Sequence, residues 1–507
     1  MKADTLELYR TYTGDETFDR IKHYETVAQM WEDRAAEYAD LTAIADDGKT
    51  YTFRQLQEDV AHFRAVLRAS GVEQGQRVAL LIPNSYDFVK AYLAAVTAGC
   101  TAVILPAHLD EKAVYGTSMM FGFTALITAP ATENAAALLR QLRPEVTLIG
   151  TEAASEEAFP AAVCAGSDGC TVIMTGGTTG KPKGALLSNT AVLQGVVNSC
   201  LGVPGTFEQR YLLVLPLSHV FGLIRNMLAS LYTGSTLFIC RDNKNMFRDA
   251  AQFQPTIMVL VPALADMMLT LSKKFGKKMF GDALQTIICG AANVPPYLIE
   301  EYHKLGVNLY PGYGLTESAN LVSGNPEPLT KPDSVGLIFP GMEYQIVDGE
   351  LWLKGKNMMD GYVGAPAENE SAYEDGWFKT GDLVRIDDEG FLYITGRIKE
   401  IIVLPSGENI SPAEVEAQFN VLPFIQDSQV FEDMNESGAH FLSLEVVPRA
   451  TEVAKLGDID VNAFITQELQ KINETLPAFS RVGKIVIRTS DFERTPSMKI
   501  VRYKKCQ

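Results

Sequence analysis

The chain has 507 residues, of which 47% are hydrophobic and 21% charged, and it carries a net charge of −18. This length exceeds what one hydrophobic core usually serves, so we expect more than one domain, and the composition excludes a disordered chain. The negative charge makes nucleic acid and anionic membranes unfavourable partners.

The N-terminal region alternates helical and strand patterns. Thr52 and Gln55 predict a capping box at the start of a helix. Apolar side chains then recur on one helical face, at Leu56, Val60, Phe63 and Leu67. Apolar runs at 78–82 and 101–105 flank a helical pattern at 86–98, which is the repeating unit of a parallel sheet covered by helices. Further apolar runs follow at 172–175, 212–215, 236–239, 257–261 and 286–289.

The pattern changes after residue 334. Asp348-Gly349 joins two short alternating runs and is a strong hairpin signal. We therefore predict a small antiparallel β-subdomain at about 334–396. A second capping signal at Ser411, with Pro412 at the first helical position, opens a region of alternating strands and helices. We place the domain boundary so that residues 1–397 form the large domain and 398–507 the small one.

The seven cysteines are scattered without a CxxC pair, and with six histidines the chain shows no metal-ligand spacing. We interpret them as reduced thiols of a cytoplasmic protein. The first residues lack an apolar signal-peptide core, and the longest uncharged apolar stretch, 91–106, is short for a membrane span. The expectation is a cytoplasmic protein without a transmembrane segment.

The most informative stretch is TGGTTGKPKG at 175–184, directly after an apolar strand. Glycines let backbone amides turn toward an anion, while threonine hydroxyls and lysines add donors and charge. The stretch predicts a phosphate-binding loop. It does not fit the Walker pattern, because no Ser or Thr follows a Gly-Lys at the required spacing, which disfavours a P-loop phosphotransferase.

Four further stretches carry candidate chemistry. In YPGYGLTES at 310–318, Tyr313 could stack on a base and Glu317 could hold magnesium. In WFKTGDL at 377–383, Asp382 could accept ribose hydroxyls. The segment 396–416 joins charged residues to a glycine turn and a capped helix, and TPSMKIVR at 495–502 places a lysine near the C-terminus. Taken singly, each could be a surface turn or a solvated charge.

Together, the five stretches resemble the adenylate-forming superfamily of acyl- and aryl-CoA ligases, adenylation domains and luciferases. The resemblance covers essentially the whole chain, with the motifs in the family's order and spacing. It implies a mixed α/β fold. A large N-terminal domain of stacked, mostly parallel sheets with helices and the β-subdomain would face a small mobile α+β C-terminal domain, with the active site between them.

The resemblance assigns the nucleotide site. The residues expected to contact the ATP phosphates are Thr175, Gly176, Gly177, Thr178, Thr179, Gly180 and Lys183. Thr316 and Glu317 would position phosphates, and Glu317 with Thr178 would hold Mg²⁺. The adenine and ribose residues would be Gly290, Ala291, Ala292, Tyr313, Gly314, Asp382 and Arg397.

The small domain would supply the remaining machinery. Lys499 would reach the substrate carboxylate and α-phosphate and counter the charge that develops between them. Lys399 matches the family's hinge, about which the small domain rotates after adenylation. Rotation would bring Ser406, Gly407 and Glu408 toward coenzyme A.

The resemblance also indicates the acid. His219 matches the position beside the carboxylate and would orient it, and Val220, Phe221 and Gly222 would line the acyl pocket. No aspartate follows His219 to hold an amine, so we expect an uncharged, apolar tail. Gly176 stands where the family commonly has Ser, and Met498 where it commonly has Gly. The TGGTTG form also occurs in fatty-acid ligases. TPSMK together with KEIIVLPSGENISP looks closer to long-chain acyl-CoA synthetases, so the resemblance favours a fatty acid.

The expected activity is ATP-dependent activation of a carboxylic acid as acyl-AMP, with release of pyrophosphate, and transfer of the acyl group to coenzyme A. One alternative is a ligase that loads an acyl carrier protein in trans. Another is a non-catalytic relative that binds a nucleotide or acyl-adenylate as a sensor. Formation of ADP would exclude the ligase, and normal turnover would exclude the sensor.

Overall fold

The structure is a computed structural model that describes residues 5–175, 182–404, 408–435, 440–457, 459–494 and 500–502. It is a mixed α/β fold, as the sequence predicts. Two large sheets with helices against them occupy the chain up to Arg397, and two small sheets follow. No helix within these ranges is long and apolar enough to cross a membrane.

The larger sheet has a parallel half and an antiparallel half. The parallel strands, in spatial order, are Asn308–Tyr313, Thr286–Cys289, Ile257–Leu260, Arg210–Leu213, Thr236–Ile239 and Thr42–Asp46. The antiparallel strands, from the far edge inward, are Met342–Val347, Glu350–Gly355, Trp377–Ile386 (flanked by Tyr373–Glu374), Phe391–Arg397, Gly336–Ile338 and Ser323–Gly324, and Lys49–Thr52 closes the opposite edge. The strands of the predicted β-subdomain therefore continue the sheet that carries the parallel strands.

The second sheet is parallel at its centre. Its strands, in spatial order, are Gly361–Tyr362, Lys183–Ser188, Gly169–Thr175, Thr101–Ile104, Arg77–Leu81, Ala125–Thr128 and Thr147–Gly150. Asn84, just after one of these strands, bonds through both side-chain amide atoms to the segment that follows the strand Arg210–Leu213 of the larger sheet. It donates to the Leu215 carbonyl at 2.8 Å and accepts from the Leu217 amide at 2.9 Å. The two sheets thus meet two residues before His219.

Local signals explain where helices begin. The Thr52 and Gln55 capping box is formed, and its helix Phe53–Ala69 buries the predicted apolar face. The other α-helices before Arg397 are Thr5–Thr13, Asp15–Phe18, Val27–Glu37, Tyr86–Thr97, Glu111–Phe121, Ala137–Leu142, Asn189–Asn198, Ala229–Tyr232, Met246–Phe253, Pro262–Phe275, Pro296–Lys304 and Pro366–Ala372. A π-helix spans Phe221–Leu228, and 3-10 turns span Glu133–Ala136, Asn243–Asn245 and Thr316–Ser318.

The chain after Arg397 forms its own core. Ile402–Val403 pairs with Asn409–Ile410, and a three-stranded sheet joins Ile425–Met434, His440–Pro448 and Val482–Ile487. Helices Pro412–Asn420, Ala450–Val453 and Val461–Thr475 accompany these strands, with 3-10 turns Ile398–Glu400, Ala454–Leu456 and Ala478–Ser480. Arg449, which is buried, forms an ion pair with Asp266 and lies 4.3 Å from the Tyr297 ring centroid. This contact joins the C-terminal region to two helices of the large region.

Candidate active site

The predicted phosphate loop connects two antiparallel strands. Gly169–Thr175 pairs with Lys183–Ser188, and Thr175 stands opposite Lys183 in the register. Both residues are half-buried at the open end of this hairpin. Gly176, Gly177, Thr178, Thr179 and Gly180 lie outside the described residues, so their contacts with phosphate stay predictions.

Lys183 is connected to Glu317 through Tyr362. The Lys183 ammonium lies 4.9 Å from the centre of the Tyr362 ring, a distance at which a cation is attracted to the ring face. The Tyr362 hydroxyl donates to Glu317 Oε1 at 2.7 Å. Burial, reinforced by the Glu317 carboxylate, raises the pKa of Tyr362, so its hydroxyl stays a donor. The structure thus brings Lys183, Thr316 and Glu317 to one side of the site.

Close backbone contacts shape the turn at Tyr313. A Cβ on Gly290 would lie 2.7 Å from the Gly312 carbonyl oxygen, and one on Gly314 would lie 1.4 Å from the Asn320 carbonyl oxygen. Only glycine permits these approaches. They bring the segment 290–292 beside Tyr313, as the predicted adenine site requires. Ala291 adopts a left-handed φ of 67°, which turns the chain after the strand Thr286–Cys289.

Asp382 lies at the centre of a second connected group. It is 1% exposed and stands opposite Arg397 in the register of two antiparallel strands. Its Oδ1 accepts from Arg397 Nε at 2.6 Å, and its Oδ2 accepts from the Tyr313 hydroxyl at 2.5 Å. Burial, with the Asp382 carboxylate, raises the pKa of Tyr313, so this hydroxyl also remains protonated. The predicted adenine and ribose residues are therefore joined directly.

The predicted acyl-pocket residues begin the π-helix Phe221–Leu228. The Leu223 amide bonds the His219 carbonyl at 2.9 Å. The Ala229 amide reaches the Ile224 carbonyl, five residues back, which is the wider π-helical spacing. A Cβ on Gly290 would lie 3.7 Å from Phe221 Cζ, so the Phe221 ring adjoins the nucleotide turn. A Cβ on Gly222 would lie 2.3 Å from the Pro216 carbonyl oxygen, which brings the helix start against the segment before His219.

Two of the C-terminal candidates, Lys399 and Glu408, lie within the described residues. Lys399 lies in the 3-10 turn Ile398–Glu400, directly after Arg397. The Glu408 Oε2 atom is buried without a hydrogen bond. Lys499, Ser406 and Gly407 lie outside the described residues. The hinge, coenzyme A and catalytic-lysine assignments therefore stay predictions.

The residues of the site are suited to a magnesium ion that binds together with the nucleotide phosphates. No group of three or more His, Cys, Asp or Glu side chains capable of holding a metal occurs in the described part of the chain. Mg²⁺ commonly binds one or two carboxylates together with substrate phosphates. Glu317, held by Tyr362 beside the phosphate hairpin, is suited to that arrangement. The second predicted ligand, Thr178, is outside the described residues.

Two residues of the site region, Tyr362 and Arg225, were not among the sequence predictions. Tyr362 carries no local motif, and its role becomes visible only when its strand pairs with Lys183–Ser188. Arg225 is a buried cation on the π-helix. Its signal was present, because Arg225-Asn226 interrupts an otherwise apolar run after His219.

Comparison with known proteins identifies the family. A family model described as "AMP-binding enzyme" matches residues 31–363, and one described as "AMP-binding enzyme C-terminal domain" matches residues 399–507. Probable CoA ligase CCL9 of Humulus lupulus is 29% identical, with 94% of this chain and 95% of that protein covered. An oxalate–CoA ligase of Arabidopsis thaliana is also 29% identical, with 94% and 97% covered.

Among solved structures, the o-succinylbenzoate CoA synthetase of Bacillus subtilis, in complex with its acyl-adenylate intermediate, has a TM-score of 0.77 and 25% identity. The alignment covers 93% of this chain and 96% of that one. Lys183, Tyr313, Glu317 and Tyr362 lie within the region that the first family model matches, and Asp382 and Arg397 lie between the two matched regions. On these matches, the chain belongs to the AMP-binding enzyme family of the adenylate-forming superfamily.

Proposed function

We propose that this protein is an acid–thiol ligase. It activates a carboxylic acid as acyl-AMP, releases pyrophosphate, and transfers the acyl group to coenzyme A with release of AMP. The observation that carries the proposal is the pairing of two connected groups in one site: Lys183, Tyr362 and Glu317 for phosphates, and Tyr313, Asp382 and Arg397 for the nucleoside. The relatives named as CoA ligases support it.

In the first half-reaction, the protein positions charge. Lys183 would neutralise phosphate oxygens, and the Asp382 carboxylate has lone pairs left to accept ribose hydroxyls. Mg²⁺, when bound, supplies further positive charge at the phosphates. His219 would orient the substrate carboxylate toward the α-phosphate. Lys499 would stabilise the charge that develops during attack, and removing such a donor lowers rates by roughly 100-fold or more.

In the second half-reaction, the region 398–507 would rotate about Lys399. Rotation withdraws Lys499 and presents Ser406, Gly407 and Glu408 to the thiol arm of coenzyme A. The ion pair between Arg449 and Asp266 would have to open, because it joins the two regions in this arrangement. A hinge needs only a few residues that absorb the backbone change.

The names of the relatives differ in the acid that is activated. The sequence favours a fatty acid, because no aspartate follows His219 to hold an amine and because TPSMK with KEIIVLPSGENISP resembles long-chain acyl-CoA synthetases. The relatives carry the names of oxalate–CoA ligase, feruloyl-CoA synthase and 2-succinylbenzoate–CoA ligase. These names share the thioester product and differ in the acid, so they favour the reaction class and no single substrate.

The test is carboxylate-dependent exchange of pyrophosphate into ATP, run with and without coenzyme A. We expect exchange with a suitable acid, and AMP with acyl-CoA once coenzyme A is added. Lys499→Ala should lose adenylation by roughly 100-fold yet still form thioester from supplied acyl-adenylate. Lys471→Ala, an exposed lysine paired with Glu468, serves as the control and should change neither step.

Several outcomes would contradict the proposal. ADP as product, or no exchange with any acid, would refute adenylation. Exchange without acyl-CoA formation would point to a carrier protein in trans. Equal loss of both half-reactions in Lys499→Ala would refute the rotation of the small domain.

A further inference from the structure

Arg225 is a buried cation to which the described residues provide no carboxylate partner. Its residue is 1% exposed, and its Nη1 atom is buried without a hydrogen bond. Within the described residues, it forms no ion pair. The nearby Tyr211 hydroxyl and Cys200 thiol do not neutralise it. Burial raises the pKa of Tyr211, and raises that of Cys200 to about 11, so both groups stay neutral.

A buried charge without compensation is expensive for a folded protein. Buried arginines elsewhere in the chain are paired: Arg34 with Glu37, and Arg64 with the Phe159 carbonyl and Thr97. Removing one partner of a buried ion pair typically destabilises a protein strongly, because the other charge is left dry. Arg225 is in that situation already, which indicates that its partner is a ligand.

Arg225 lines a cavity that holds a second unpaired donor. The cavity is small, with a volume of about 30 Å³, and Arg225, Asn198, Ser199 and Tyr310 contribute to its wall. Asn198 is fully buried; its Oδ1 accepts from Gln194 at 2.9 Å, and its Nδ2 has no hydrogen bond. Two unpaired donors on one cavity, one of them charged, are suited to an anionic acceptor.

The cavity adjoins the turn that carries Tyr313. Its wall also includes Gly312, next to the Tyr313 that the nucleotide site uses. Arg225 lies on the π-helix Phe221–Leu228, which begins two residues after His219. The reacting carboxylate would therefore lie beside His219, with the tail directed toward Arg225.

We propose that the acid carries a second negatively charged group on its tail, and that Arg225 with Asn198 binds it. The substrate class is a dicarboxylic acid. This inference rests on the proposed function and names its acid. A fatty acid with an apolar tail would leave the Arg225 guanidinium desolvated and without a counter-charge. A carboxylate on the tail could accept two hydrogen bonds from it. Sites built to bind a polar group reject analogues that lack it by large factors.

The experiment compares matched pairs of acids. Dicarboxylic acids of graded length are assayed against monocarboxylic acids of the same carbon number by pyrophosphate exchange. Wild-type protein should prefer the diacid in kcat/KM by roughly 30-fold or more, the effect expected for a buried charge pair. Arg225→Met should abolish or reverse this preference through KM, and Arg225→Lys should retain part of it.

Arg64→Met is the matched control. Arg64 is a buried arginine whose partners lie elsewhere in the fold. The substitution should lower stability and leave the ratio of diacid to monoacid unchanged. Equal loss for all acids in Arg225→Met, with the ratio preserved, would assign Arg225 a structural role and overturn the proposal.

The ratio of kcat/KM for diacid and monoacid in the wild-type protein tests the proposal even if a variant fails to fold, since a preference for monoacids would overturn it. If no acid supports exchange, the proposed function fails, and calorimetric titration of the protein with diacids tests Arg225 separately. Binding to wild type that Arg225→Lys weakens, with the monoacid not bound, would support the inference. Absence of diacid binding would overturn it.

Discussion

Replacing Asp382 with asparagine tests the link between the ribose and adenine residues. The carboxylate accepts from Arg397 Nε at 2.6 Å and from the Tyr313 hydroxyl at 2.5 Å. Asparagine has a similar shape but only one side-chain oxygen, so its NH₂ group must face either Arg397 Nε or the Tyr313 hydroxyl, both of which are donors. Losing one hydrogen bond to a charged group costs about 1.5–3 kcal/mol, and we expect the free energy of unfolding to fall by that amount.

The same change should weaken ATP binding. A ribose hydroxyl that donates to the carboxylate loses its charged acceptor, and about 1.5–3 kcal/mol corresponds to a rise in the KM for ATP of roughly 10- to 100-fold. Pyrophosphate exchange at varied ATP measures it, and thermal unfolding measures stability. Because the acid is bound elsewhere, its KM should change little.

Asp387→Asn is the matched control. Asp387 lies in the turn between the same two strands and accepts from Lys331 Nζ at 3.0 Å and from the Phe391 amide at 2.9 Å. It should lose stability and keep its KM for ATP. If Asp382→Asn behaves like this control, with an unchanged KM for ATP, Asp382 holds the strands together and the assignment to ribose is refuted.

Gly314→Ala places a Cβ 1.4 Å from the Asn320 carbonyl oxygen, so the melting temperature should fall and pyrophosphate exchange should be lost. An unchanged Tm would contradict the close approach. Tyr362→Phe removes the hydroxyl that donates to Glu317 and should raise the Mg²⁺ concentration for half-maximal exchange roughly 2- to 10-fold. An unchanged dependence on Mg²⁺ would contradict the assignment of Glu317 as a metal ligand. Burial raises the pKa of Cys200 to about 11, so a thiol reagent at pH 8 should modify it only after unfolding, and rapid native labelling would contradict its burial. The Cys200 thiol ionises at lower pH in the unfolded chain than in the folded protein. The contribution of Cys200 to the free energy of unfolding should therefore decline as pH rises from about 9 to 11.

Local chemistry made much of the fold predictable. The hydroxyl of Thr52 and the amide of Gln55 satisfy each other within one helical turn, so the helix start needs no tertiary information. Asp348 and Gly349 both adopt positive φ, 50° and 83°, which is what the predicted two-residue hairpin turn demands. The family could be inferred because its motifs are short and their order is preserved along the chain.

Contacts between distant segments were not predictable in this way. Asp382 was assigned to ribose from its type and motif, but its bond to Tyr313 joins strands 69 positions apart. Tyr362 meets Glu317 only because the strand Gly361–Tyr362 joins the second sheet, while Glu317 lies in the connection between two adjacent strands of the first. The domain boundary and the role of Lys499 stay predictions. The first needs evidence of relative motion, and the second falls outside the described residues.

The π-helix Phe221–Leu228 has a consequence for transferring substrate preferences between relatives. Its amide-to-carbonyl bonds span five residues, so each residue turns through less than the 100° of an α-helix. A relative with an ordinary α-helix there would present a different position to the tail of its acid, even where the aligned letters agree. A prediction of substrate preference from aligned positions after His219 would then assign the wrong side chain to the acid pocket. The contribution of Arg225 would be missed unless the helix geometries were compared first.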